Sequence, residues 1–327
     1  MTSHPCVSVI MPIYNAAERL EESVGGILAE AELPLELICV DDGSTDASGC
    51  LLEEMAAKDA RLRLIRQENA GPGVARNRGL EVLRGDFFTF ADADDALEPG
   101  YLRGLHETAV GMGADVVVSG WTRVDRAGER VSQTLCEAPA LLPPGAAALC
   151  GLPRTSWGRL YRREVLERSQ ARFPLGVCYG EDTAFDYLID SFCKIIVLHP
   201  STGYLYRDEA GSVSNTRLAE KLPGMVDALA WLAAEFRRRG MSALNRELLA
   251  GYASHALRRI RARARHGCQR ECARRTSEIL HEAGVSEADF SALRSKDARC
   301  LSRILAGGSG LSLGYYWKRL YRALRGR

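Results

Sequence analysis

At 327 residues, with 46% hydrophobic and 26% charged residues and a formal net charge of +1, the chain reads as a soluble globular protein with room for a catalytic domain and an appendage. It has no run of about twenty apolar residues to span a bilayer, and its ten cysteines form no Cys-x-x-Cys pair, which excludes a spanning helix and a zinc site of the paired-cysteine type. The near-neutral total conceals two parts of opposite sign: residues 237–327 carry 21 basic and 7 acidic residues, residues 1–236 carry 22 basic and 35 acidic.

The first third alternates strands and helices. Residues 7–11 predict a buried strand, Pro12-Ile13-Tyr14-Asn15 breaks it, and residues 18–30 carry a helical pattern. The plan repeats with a strand over 35–40, the polar turn Asp41-Asp42-Gly43-Ser44-Thr45-Asp46, and a helix over 47–57 that Asp46 is placed to cap. A third strand at 62–66 leads through a glycine-containing loop into a helix that ends near Gly85. A fourth, at 86–90, delivers Ala91-Asp92-Ala93-Asp94-Asp95, and a further helix is expected to start within Leu97-Glu98-Pro99-Gly100-Tyr101. Four such alternations imply a parallel sheet with right-handed crossovers. Its polar loops then gather along the carboxyl edge and bring Tyr14, Asp42, Arg76 and Asp92 to one crevice.

Carboxylates packed at the end of such a strand can bind a hard divalent cation that in turn grips a diphosphate, so the acidic cluster points to a metal–nucleotide site. The competing reading is a solvated acidic turn at the start of a helix. The glycines near Gly71 do not form Gly-x-x-x-x-Gly-Lys-Ser/Thr, which rules out a P-loop.

Four blocks occur in register: Pro12-Ile13-Tyr14-Asn15, Val40-Asp41-Asp42-Gly43-Ser44-Thr45-Asp46, Asn69-Ala70-Gly71-Pro72-Gly73-Val74-Ala75-Arg76-Asn77-Arg78-Gly79 and Asp92-Ala93-Asp94-Asp95. Together they resemble family 2 of the inverting glycosyltransferases with the GT-A fold. The resemblance runs over residues 7–215 when Trp157-Gly158-Arg159-Leu160-Tyr161, Tyr179-Gly180-Glu181-Asp182 and Tyr204-Leu205-Tyr206-Arg207 are included. It implies an α/β, Rossmann-like, mostly parallel sheet flanked by helices in a catalytic domain over 1–215, with a basic helical region over 216–327. It also implies a nucleoside-diphosphate-sugar donor, most simply a UDP-sugar, a Mn2+ or Mg2+ ion, and a glycan or lipid-linked acceptor in surface polysaccharide synthesis.

Carried over residue by residue, the resemblance places Pro12, Tyr14 and Asn15 in the donor-binding block, with Tyr14 stacking on or flanking the base. Asp42 can accept hydrogen bonds from a uracil imide or ribose hydroxyls. Arg76 can reach the phosphates, aided by exposed helical amides. Asp92 and Asp94 would hold ribose and metal, Asp94 as the direct metal ligand, and Asp95 is read as a helix-start residue. Structural alternatives stand beside these roles: a turn bond for Asp42 and Ser44, and a surface pairing of Arg76 with Glu81 or Glu68.

The later Glu181-Asp182 pair, before a helical run over 183–192, resembles the family's Glu-Asp block, and Asp182 is expected to be the catalytic base, with Glu181 orienting the acceptor or capping the helix. Arg207 is a candidate phosphate contact. Trp157 and Tyr161 could stack on a sugar or belong to the core, the core being the reading for Tyr161. His199 is read as structural.

Helices are expected over 219–239, 242–266, 269–283 and 311–325. Arg258, Arg259, Arg261, Arg263 and Arg265 raise a nucleic-acid-binding alternative, which ranks low because no nucleic-acid-binding module accompanies them, so no nucleic-acid partner is expected. An inert partner of a synthase is a third reading, and the intact Asp92, Asp94 and Asp182 argue against it. In the last segment Leu313, Tyr316, Trp317, Leu320, Tyr321 and Leu324 recur at helical spacing beside Lys318, Arg319, Arg322, Arg325 and Arg327. That pattern suits either a docked helix or peripheral contact with the inner face of a membrane. The opening residues lead directly into the first strand without a leader pattern, so the expected location is the cytoplasm.

Overall fold

The computed structural model describes residues 4–134, 140–142, 152, 154–207, 218–290 and 301–302. They fall into two compact units. The first holds residues 4–134, 140–142, 154–175 and 192–207, the second residues 152, 176–191, 218–290 and 301–302.

The first unit opens with β1 (Val7–Ile13), α1 (Leu20–Leu28), β2 (Leu35–Asp41), α2 (Ser48–Lys58), β3 (Leu62–Arg66), α3 (Pro72–Val82) and β4 (Phe87–Phe90). Then come β5 (Ala96–Leu97), α4 (Tyr101–Gly111), β6 (Val116–Ser119), the hairpin β7 (Trp121–Val124) and β8 (Arg130–Thr134), β9 (Ala140–Leu141), β10 (Arg159–Arg162), α5 (Arg163–Ser169), β11 (Ile196–His199) and β12 (Tyr204–Arg207). Eight strands form one sheet in the order β3-β2-β1-β4-β10-β6-β11-β9. The four successive strands pair in parallel as expected, and β10 enters antiparallel between β4 and β6. A second sheet runs β5-β12-β7-β8.

β1 is buried on both faces, and the period of two separates its roles. Val7, Val9, Met11 and Ile13 join Leu20, Val24 and Ile27 of α1 and Leu102 and Leu105 of α4 in one apolar cluster. On the other face Ile10 meets α3 at Gly79, where a Cβ would stand 2.3 Å from Ile10 Cγ2. Only a residue without a side chain lets this helix lie so close to the strand.

Pro12 does not end β1, contrary to expectation. The Ile13 carbonyl accepts from Asp42 N–H on the β2 side, and the Ile10 carbonyl accepts from Ala91 N–H on the β4 side. Pro12 shares the side of Ile10, where β4 has already finished at Phe90, so its missing N–H removes no ladder bond. α4 starts at Tyr101, within the expected stretch, and the short strand β5 precedes it, because Ala96 and Leu97 pair with Leu205 and Tyr204.

The second unit is helical: α6 (Glu181–Asp190), α7 (Leu218–Lys221), α8 (Gly224–Arg238), α9 (Ala243–Arg263) and α10 (His266–Glu282), then a short 3-10 turn at Glu287–Phe290. The helix expected over 219–239 is two helices parted at Leu222–Pro223, since proline has no N–H to continue the first. α9 starts with a reciprocal cap, in which Ser242 Oγ accepts from Asn245 N–H and Asn245 Oδ1 accepts from Ser242 N–H. Leu257, Ile260 and Ala264 are buried as their spacing suggests. α6 is numbered within the first 215 residues, yet it belongs with these helices. The helix expected over 311–325 lies outside the described residues.

Candidate active site

The loops that leave β1, β2 and β3 are bound to one another through side chains. Asn15 sits just past β1 with a left-handed backbone (φ 51°), a conformation its short amide tolerates. Its Oδ1 accepts from Thr45 N–H at 2.8 Å and Asp46 N–H at 3.3 Å, and its own N–H donates to Ser44 Oγ. Asp46 accepts from Ala17 N–H and also from Ser48 N–H, one of the first amides of α2. Burial of Asp46 pushes its carboxyl up, but the bonds from Ser48 and Ala17 outweigh that and leave it below the ordinary value. Tyr14, next in line, is 51% exposed and presents an open ring at this edge.

Asp42 is buried at the end of β2. Its carboxylate accepts from Gln67 Nε2, Ala70 N–H and Gly71 N–H, each at 2.8 Å. Three of the roughly four acceptor sites on a carboxylate are therefore filled by the loop that precedes α3. The neighbouring Asp41 makes the turn bond, accepting from Ser44 N–H at 2.9 Å.

Arg76 projects from α3 with 6% exposure. It is therefore not the surface residue that the alternative pairing with Glu81 or Glu68 supposed. Its Nη2 donates to Asp92 Oδ1 at 2.8 Å, and its guanidinium carbon lies 5.5 Å from the Phe173 ring centre. Glu81 is taken by Arg78. Phe173 is held by Asn77, whose amide both accepts from the Phe173 N–H and donates to its carbonyl.

The acidic loop is fixed from β12. Asp92 N–H donates to Tyr204 Oη at 3.2 Å, Tyr204 O–H donates to Asp95 Oδ2 at 2.7 Å, and Arg207 N–H donates to Asp95 Oδ1 at 2.8 Å. Asp95 is 4% exposed and is no helix-start residue, since α4 begins only at Tyr101. Burial first, then the charges of Asp94 and Asp92, push its carboxyl well above the ordinary range. Arg207 is equally buried. Its guanidinium donates to Glu22 Oε1 at 2.6 Å, to the Asp94 carbonyl at 3.3 Å and to the Arg126 carbonyl at 3.4 Å. Trp157 is a core residue, with Tyr204 and Tyr206 stacked on it at 4.5 and 5.3 Å, so its faces are already covered. Tyr161 is fully buried.

In the second unit, Asp182 lies in the first turn of α6, which starts at Glu181, two residues before the start the sequence pattern suggested. Gly180 precedes it with φ 87°, and a Cβ there would come within 2.8 Å of Tyr252 Oη. Asp182 Oδ1 accepts from Thr183 N–H at 2.6 Å. Tyr252, fully buried, donates to the Gly180 carbonyl, and its phenol is pushed well up by burial first and then by the charges of Asp182 and Glu181. Arg259 bonds the Tyr179 hydroxyl and lies 5.5 Å from its ring centre. Of the arginines behind the nucleic-acid alternative, Arg259 thus has an internal partner and Arg258 donates to Ser254 Oγ at 3.4 Å; beyond that set, Arg275 donates to Asp227 at 2.6 Å.

Sequence reasoning missed Glu22 and Phe173, which no local pattern marks, and it assigned Tyr204 no role although that residue opens the Tyr204-Leu205-Tyr206-Arg207 block.

This arrangement, a parallel sheet with a braced acidic loop at its carboxyl edge and a smaller second sheet, is the GT-A architecture. It is similar to the crystal structure of S. aureus TarS 1–349 in complex with UDP-GlcNAc, with a TM-score of 0.72 and 19% identity over 92% of this chain and 90% of that one. Residues 8–169 match Glycosyl transferase family 2. The chain is 31% identical over 239 residues to Glycosyltransferase GlyA of Streptococcus pneumoniae, covering 68% of this chain and 33% of GlyA. It is 30% identical over 237 residues to succinoglycan biosynthesis protein ExoO of Rhizobium meliloti, covering 68% of this chain and 67% of ExoO. The chain belongs to glycosyl transferase family 2. It spans a third of GlyA's length, and 63% and 62% of two further curated relatives. No helix among the described residues is long and apolar enough to cross a membrane.

Proposed function

We propose that this chain is an inverting, metal-dependent glycosyltransferase that moves a sugar from a UDP-sugar to a hydroxyl of a glycan or lipid-linked acceptor in surface polysaccharide synthesis, working in the cytoplasm. One observation carries the reading: Arg76 and Asp92 meet at 2.8 Å on the carboxyl edge of the parallel sheet, with the partly exposed Asp94 two residues further on. The nucleotide is suggested by TarS, seen with UDP-GlcNAc, and the pathway by ExoO, a succinoglycan biosynthesis protein.

Among the described residues no group of three or more acidic, histidine or cysteine side chains forms a ready cage for a metal. A Mg2+ or Mn2+ centre completed by substrate phosphates needs only one or two protein carboxylates, and Asp94 and Asp92 have that donor chemistry. A bound ion would add positive charge beside the departing diphosphate. Arg76 stabilises the same developing charge from α3. Tyr14 offers its exposed ring to the base. Asp42 contributes mainly by fixing the loop before α3, and Arg207 by holding the main chain of Asp94. Asp182 takes the proton of the acceptor hydroxyl as that oxygen bonds to the anomeric carbon. The bond to the diphosphate breaks with its electron pair, so a single displacement inverts the carbon without a protein nucleophile. Peripheral membrane contact through residues 311–325 belongs to this reading on their sequence pattern alone.

The test is release of nucleotide and thermal shift of the purified protein against a panel of UDP- and GDP-sugars with Mn2+. A UDP-sugar should stabilise the protein and be turned over once an acceptor is supplied. No response to any nucleotide sugar with the metal present would end the proposal.

A further inference from the structure

Three carboxylates in four residues repel one another, and a free loop would spread them apart. Here the loop is tied at successive points to one strand of the second sheet. The Asp92 amide donates to Tyr204 Oη, the Tyr204 hydroxyl donates to Asp95 Oδ2, Asp95 Oδ1 receives Arg207 N–H, and Arg207 Nε reaches back to the Asp94 carbonyl. The Tyr204 ring is 1% exposed and stacked on Trp157 with an interplanar angle of 13°, so the phenol cannot swing away. A single hydroxyl therefore sits between the main chain of Asp92 and the side chain of Asp95. One bond fixes where the acidic loop starts, the other where it ends.

We propose that Tyr204, acting through Asp95, is a positioning residue that sets the spacing of Asp92 and Asp94 for a metal-bound diphosphate. Tyr204 touches neither metal nor donor. The proposal rests on the reading of the acidic loop as a metal–diphosphate site and adds to it the device that holds the loop in shape. A hydrogen bond to a charged group is typically worth enough to change an equilibrium by roughly ten- to a hundredfold. Tyr204→Phe keeps the ring and its stack while removing both bonds of the hydroxyl.

The experiment compares UDP affinity by calorimetry, with Mn2+ and with EDTA, together with the Mn2+ electron paramagnetic resonance spectrum of the UDP complex, for the intact protein, Tyr204→Phe and Tyr101→Phe. Tyr101 is a control of the same kind: its ring lies edge-on to that of Tyr204, 6.4 Å between centres, and its hydroxyl bonds Ser119 Oγ at 2.7 Å in the same unit. Tyr204→Phe should weaken Mn2+-supported UDP binding by roughly tenfold or more, leave binding in EDTA unchanged and alter the Mn2+ spectrum, whereas Tyr101→Phe should change none of these. Equal behaviour of the two variants would overturn the proposal, because a merely structural hydroxyl predicts that result. Asp95→Asn, which keeps the shape and an acceptor for Arg207, gives a second route to the same readout if Tyr204→Phe does not fold. Asp94→Asn separates the two levels. If it leaves Mn2+-supported binding intact, the reading of the loop fails. If it abolishes that binding while Tyr204→Phe and Asp95→Asn do not affect it, the positioning role alone fails.

Discussion

Two acidic clusters in this chain, Asp92–Asp95 and Glu181–Asp182, are alike in composition and opposite in construction. The first leaves a buried strand, and its shape comes from bonds supplied by α3 and β12: Arg76 on Asp92, Tyr204 on Asp95 and on the Asp92 amide, Arg207 on the Asp94 carbonyl. The second stands on the first turn of a helix, after a left-handed backbone position that glycine fills, and Asp182 accepts from the amide of its own neighbour. Under the proposed function the first cluster holds a cation, for which long-range bracing gives fixed spacing, and the second takes a proton, for which a helix start gives one defined direction. On that reading, environment divides the two tasks where residue type does not.

Asp94→Asn is expected to have the largest effect, with transfer and Mn2+-supported UDP binding both lost and the circular dichroism spectrum unchanged; wild-type turnover would break the contrast at once. Asp182→Asn should lower kcat by roughly two to four orders of magnitude while UDP titrates normally. An equal loss of UDP affinity would put both clusters on the donor side. Arg76→Met, which removes the charged bond to Asp92, should destabilise the fold by about 2 kcal/mol in urea and weaken UDP binding by roughly tenfold. The smallest effect on chemistry belongs to Gly79→Ala. Its added methyl presses on Ile10, so unfolding free energy should fall by about 1–3 kcal/mol with the KM for donor unchanged; a raised KM would mean that the α3–β1 contact also tunes the site.

Much of this is legible in the sequence. The strand–helix alternation in the first ninety residues carries its own punctuation, and the residues at the strand ends are of kinds that need a reason to be there. Pro12 misled because the cost of a proline depends on whether a neighbouring strand continues beside it, and β4 lies some seventy-five residues away in sequence. Asp95 was misread for a related reason. Its partners Tyr204 and Arg207 come from a strand more than a hundred residues later, so nothing local distinguishes a buried brace from a helix start. The antiparallel insertion of β10 between β4 and β6 was hidden likewise, since strand order within a sheet is a long-range property.

The bonds of Asn15 have a consequence for redesign. Because its side chain closes onto the amides of Thr45 and Asp46 while Ala17 leans on the Asp46 carboxylate, the loops after β1 and β2 are one unit of inheritance although some thirty residues separate them. Grafting either loop alone from a relative with different nucleotide preference would strand polar groups on both sides of the seam. A graft that carries both loops together keeps these bonds, and it must also match the loop before α3, which Asp42 holds.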